Sequence, residues 1–75
     1  MYLNEANPGD VLIVKSLEGV DLIRRSPLRD LGLYEYGLIY VDWNENGTIG
    51  FHKDSITVSI ALDEASKIEV CGKEI

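Results

Sequence analysis

Basic residues, cysteine, histidine and long apolar runs are all scarce in this sequence. Its 75 residues hold 7 Lys and Arg against 13 Asp and Glu, for a net charge of −6. Binding nucleic-acid phosphates requires a basic face, so nucleic acid is not an expected partner. The same deficit argues against adsorption on anionic lipid. Cys71 is the single cysteine, so no internal disulfide forms. A small secreted domain normally leans on several, and a reducing compartment is expected instead. No apolar run is longer than that of Val11–Val14, far short of a membrane span. Met1–Asp10 carries Asn, Glu and Pro where a signal peptide has an apolar stretch. These points lead to the expectation of a cytoplasmic protein with no direct membrane insertion.

The shortages also bear on chemistry. Non-haem ferrous sites often use two histidines and a carboxylate, and His52 is alone. His52 and Asp54 are two apart and form at most a pair of ligands; the simpler reading is a surface histidine beside a turn. No cofactor is expected, and ferrous iron has no ligand set here. Cys71, near the end of the last strand, reads as a packing residue or exposed thiol rather than a nucleophile. The carboxylates Asp63 and Glu64, and Asp42 and Glu45, sit in or beside turns, where acidic side chains are commonly just solvated. The glycines are scattered at turns rather than gathered into a phosphate-binding loop. With no set of nucleophile, base and orienting residue, no catalytic residue is assigned and an enzyme is the least expected class.

What is present is ordinary globular material, 45% hydrophobic and 27% charged, read as one domain over residues 1–75 near the lower size limit for independent folding. Asn7-Pro8-Gly9-Asp10 is a turn by composition. It launches a strand over Val11–Leu17, with Val11, Ile13 and Leu17 on one face by period-two alternation. Leu12 and Val14 are also apolar, so partial cover on both faces is expected. Asp21–Leu31 reads as the only helix, capped by Asp21, or as two short turns, since Pro27 cannot donate inside a helix. Ser26-Pro27 offers a fresh start. Gly32 ends the segment, and a left-handed Gly32 folds Leu33 back onto Leu28. Leu28, Leu31 and Leu33 are expected to plug one end of the fold. Strands follow at Leu38–Trp43, Thr48–His52, Ser55–Leu62 and Lys67–Cys71. Asn44–Gly47, Lys53-Asp54 and Asp63–Ala65 are the turns between them. A flat five-stranded sheet leaves its core half covered, whereas closure hides it. The fold expected is mostly β, a small SH3-like barrel of about five short strands with one short helical segment.

Four pieces, in order, resemble the FeoA family, the small cytosolic component of bacterial ferrous iron uptake. Pro8-Gly9-Asp10 leads into an apolar first strand. Leu28, Leu31, Gly32 and Leu33 make a Leu-x-x-Leu-Gly-Leu segment. Gly37 opens a strand four residues after Leu33. Ala65, Ile68 and Val70 make an Ala-x-x-Ile-x-Val ending. The resemblance implies an SH3-like fold and a partner, the FeoB membrane iron transporter with its cytosolic G-protein domain. The implied role is regulation or assembly of that transporter. A similar domain occurs at the C-terminus of some iron-dependent repressors.

Binding surfaces remain to be placed. The chain's three arginines, Arg24, Arg25 and Arg29, lie within six residues of one another on an acidic body. Tyr34 and Tyr36 come soon after them. Arginine and aromatic residues are enriched in interface cores, so these five are the expected partner-binding residues. The alternative is a solvated helix face with two half-buried tyrosines. Trp43, beside a hairpin turn, is either an exposed anchor or, preferably, a lid on the core. The leading expectation is a module that docks on the transporter. The alternatives are a metal-sensing module related to the repressor domain, and a homo-oligomerising module built on an exposed strand edge.

Overall fold

Five segments rich in aliphatic and β-branched residues, each bounded by turn chemistry, form strands in the computed structural model, which describes residues 1–72. They are β1 (Val11–Ser16), β2 (Leu38–Glu45), β3 (Thr48–Lys53), β4 (Ile56–Ala61) and β5 (Glu69–Gly72). A helix α1 (Leu22–Asp30) joins β1 to β2. A single helical turn α2 (Leu62–Ala65) joins β4 to β5, and a 3-10 turn (Leu3–Glu5) precedes β1. The strand order is β4-β3-β2-β1-β5, antiparallel throughout. This is the mostly β, small SH3-like barrel expected from the sequence. No helix among the described residues is long and apolar enough to cross a membrane.

One buried cluster fills the interior. Leu12, Val14, Leu17, Leu28, Leu33, Ile39, Val41, Ile49, Phe51, Ile68 and Val70 are among its members. The 3-10 turn adds Leu3 and Ala6, both fully buried. Their contribution to the core was not anticipated. The Leu3 amide donates to the Ile68 carbonyl at 2.9 Å, and a bridge pairs Tyr2 with Glu69. The N-terminal segment therefore runs beside β5 and covers its outer edge.

Two bulges change which side chains face inward. In β1 the register with β5 shifts between Val14 and Ser16. An extra residue reverses the alternation beyond it. Leu12 and Val14 are accordingly the core residues of β1, and Leu17 joins them beyond the bulge. Val11 and Ile13 are half-buried on the other face. The expected grouping of Val11, Ile13 and Leu17 is thus corrected. In β2 the register with β3 shifts between Val41 and Trp43. That shift turns Trp43 outward and Asn44 inward. Asn44 Nδ2 donates to the carbonyls of Asn4 (3.0 Å) and Ala6 (2.8 Å), which ties down the 3-10 turn. Trp43 is not a lid on the core. Its indole lies on the outer face over Gly50, its cross-strand partner, and a side chain at that position would overlap the ring.

The helix is continuous through Pro27, so Ser26-Pro27 does not start a new one. Asp21 occupies the N-cap position without a side-chain capping bond. The helix ends in a full Schellman motif at Gly32, whose φ is +104°. The Leu33 amide donates to the Leu28 carbonyl at 2.9 Å, and the Gly32 amide to that of Arg29 at 3.0 Å. Leu28 and Leu33 are fully buried, but Leu31 is exposed and takes no part in the plug. The hairpin turn is the two-residue Asn46-Gly47, both with positive φ, and Glu45 still pairs with Thr48. The β3–β4 connection is Asp54-Ser55, one residue later than expected. Asp63–Ala65, expected as a turn, form α2 together with Leu62, expected as the end of the fourth strand, so α1 is not the only helix.

Candidate partner-binding surface

The arginine cluster divides into three different environments. Arg24 reaches across to α2, where its Nε donates to Glu64 Oε2 at 3.0 Å and its Nη2 to Oε1 at 3.1 Å. This two-point bond is the main cause that holds the Glu64 carboxyl below its usual range. Partial burial opposes it, and the charges of Arg24 and Lys67 add to it. The same bond, seconded by the charge of Glu64, raises Arg24. Arg25 turns onto the loop before the helix. Its Nε donates to the Val20 carbonyl at 3.0 Å and its Nη2 to the Glu18 carbonyl at 2.9 Å. Arg29 is exposed. So α1 is fastened to its surroundings by two arginines and by Leu28, its one buried residue.

Tyr34 and Tyr36 lie in the connection from α1 to β2. The Lys53 ammonium sits 5.0 Å from the centre of the Tyr34 ring, a favourable placement of a cation on an aromatic face. Lys53 Nζ also donates to the Leu38 carbonyl at 3.1 Å. Tyr36 differs from every neighbour. Its φ is +66°, a left-handed conformation that is a genuine outlier for a bulky side chain, and it is 76% exposed. Its amide donates to the Val14 carbonyl at 2.7 Å, so β1 holds the backbone in place.

The most exposed apolar residues among the described residues were not among the expected contacts. Leu22 is 78% and Ile23 83% exposed, side by side in the first turn of α1. A signal for this was present. At 100° per residue, neither lies on the side of the helix that carries Leu28. Among the described residues, no side-chain hydrogen bond links Arg24, Arg25, Arg29, Tyr34 and Tyr36 to one another. What they share is the α1 region and the connection from it to β2.

The remaining candidates are also placed. His52 Nδ1 bonds Asp42 at 2.9 and 3.0 Å, not Asp54, which lies in the next turn. Its ring stacks on Tyr40 at 5.0 Å. Asp42 and Glu64 are therefore both engaged by side chains rather than merely solvated. Cys71 pairs with Ile13 of β1, and two strands separate β5 from His52 on β3, so no Cys-His dyad is assembled. Among the described residues no group of three or more His, Cys, Asp and Glu gathers to hold a metal. A shallow cleft of about 480 Å³, lined by Tyr2, Glu18, Lys67 and Glu69, opens between the end of β1 and the start of β5. No family model matches the chain, and no curated protein matches it.

Proposed function

We propose that this chain is a binding module of the FeoA kind. It docks from the cytoplasm on the cytosolic part of a FeoB-type ferrous iron transporter and regulates or helps assemble it. Four pieces of sequence spanning most of the chain support the reading, and so does the SH3-like barrel, a scaffold that hosts many functions by carrying different surfaces.

The observation that carries it is Tyr36. A left-handed position strongly favours Gly, Asn or Asp, and a bulky residue there costs about 1–2 kcal/mol. The ring offsets little of that cost by burial, since it is 76% exposed. A strained backbone that presents an aromatic side chain to solvent is better explained by what the ring binds than by folding. Arg29 and Tyr34, close by in sequence, are residue types that interfaces favour.

The test separates the two roles of Tyr36. Tyr36→Gly relieves the strain and removes the ring, so it is expected to raise Tm while weakening calorimetric binding to the transporter's cytosolic domain. Wild-type affinity in the glycine variant would overturn the assignment of Tyr36. A wild-type chain that fails to bind that domain overturns the docking function itself.

A further inference from the structure

The geometry points to the first turn of α1, Leu22 and Ile23, as the apolar anchor of the docking surface; we propose that it enters an apolar pocket with an acidic rim on a partner protein. This deepens the docking function proposed above and rests on it. Four observations converge. First, Leu22 and Ile23 are 78% and 83% exposed in a small protein whose other aliphatic residues mostly fill its core. Second, Ser26 and Pro27, one turn further along the same side, are exposed too, so Leu22, Ile23 and Pro27 form one apolar stretch. Third, the segment is held in place. Arg24 and Arg25, the next two residues, bond to Glu64 and to the Val20 and Glu18 carbonyls. Leu22 and Ile23 are thus presented on a fixed backbone, which lowers the ordering cost of binding.

The fourth observation is charge, and it selects the occupant. Residues 22–30 hold three arginines and Asp30, for +2, of which the Arg24 charge is matched by Glu64, whereas the whole chain is −6, which leaves −8 on the remainder. Two copies meeting through α1 would bring like charges together. An anionic bilayer would attract the helix but repel the rest of the molecule. A protein pocket that takes only the first turn of the helix, with acidic groups confined to a rim beside Arg29, keeps the acidic remainder of the molecule away from the partner's charge. Arg29 on α1 makes no side-chain hydrogen bond or ion pair among the described residues, so it is placed to meet an acidic rim.

The experiment is calorimetric titration of the wild-type chain, Leu22→Ser/Ile23→Ser and Arg29→Glu against the transporter's cytosolic domain, each at two salt concentrations. The serine pair is expected to weaken binding at least about tenfold, as loss of a central apolar anchor does, with Tm and far-UV circular dichroism unchanged. Arg29→Glu is expected to weaken binding and reduce its dependence on salt. If the serine pair binds like wild type, the anchor is wrong while the docking function stands. If the wild-type chain does not bind, both fall. Two controls test the other occupants. Binding of the wild-type chain to phosphatidylcholine–phosphatidylglycerol vesicles, lost in the serine pair, would reassign the patch to a membrane. A mass by light scattering that doubles with concentration in wild type alone would reassign it to a second copy.

Discussion

Replacing Gly50 by alanine is expected to destabilise the fold through the outer face of the sheet. Gly50 pairs with Trp43 across β2 and β3, and the indole lies flat on the space a side chain would occupy. A methyl group there overlaps the ring carbons, so the ring must lift. Lifting it gives up the contact with the sheet and the 3.2 Å bond from Trp43 Nε1 to Thr48 Oγ1. Overpacking of this kind costs about 1–3 kcal/mol. Total stability for a chain of this length is roughly 4–11 kcal/mol, so the loss is a substantial share. At about 4–8 °C per kcal/mol for a domain of this size, Tm is expected to fall by roughly 4–24 °C. Trp43 is the only tryptophan, so its emission reports the event directly and shifts to longer wavelength as the ring becomes solvated. A double-mutant cycle isolates the cause: in a Trp43→Ala background, Gly50→Ala is expected to cost little or nothing. A Gly50→Ala protein that melts within about 2 °C of wild type with unchanged emission would refute the reasoning. So would an equal loss with and without the indole.

Two further outcomes are expected. Gly32→Ala is expected to cost about 1–2 kcal/mol, because Gly32 has a φ of +104° and an added carbon would meet the Lys53 side chain at 3.2 Å; chemical denaturation measures it, and an unchanged midpoint counts against the Schellman ending. The Glu64 carboxyl is held low by Arg24, so its contribution is present above its ordinary value near 4.5 and is lost as pH falls through the lowered one. Amide exchange in α1 should accelerate in that acidic range for wild type but not for Glu64→Gln. Because the Arg24 side chain is 49% exposed, high salt should shrink the difference between the two proteins.

The features that were legible in the sequence are those set by local chemistry. Asn46-Gly47 has the residues that a two-residue hairpin turn requires, and the turn is there. The Leu28–Leu33 segment contains its own stop signal, since a left-handed glycine brings the Leu33 amide back to the Leu28 carbonyl. Alternation of Ile56, Val58, Ile60 and Leu62 puts Val58 and Ile60 inside, although Ile56 at the start of β4 is half exposed and Leu62 passes into α2. The features that were not legible depend on partners distant in the chain. Nothing around Lys15 or Asp42 announces a bulge, yet each bulge reverses the facing of the residues beyond it. Leu17 and Asn44 thereby turn inward, and Trp43 turns outward. Arg24 and Glu64 are separated by 40 positions, so their pairing could not be read from either neighbourhood.

By itself the sequence determined the existence of the strands, the Asn46-Gly47 turn, the end of the helix and an acidic body with one basic segment. Each of these comes from short-range geometry or from composition. Tertiary structure alone decided which arginines are bound to the protein itself, that two aliphatic residues of α1 stand in solvent, and that an aromatic residue sits on a left-handed backbone. These outcomes depend on which surfaces meet when the sheet coils and the helix docks. One-dimensional spacing cannot report that, because a bulge or a single long-range bond changes the phase of everything beyond it.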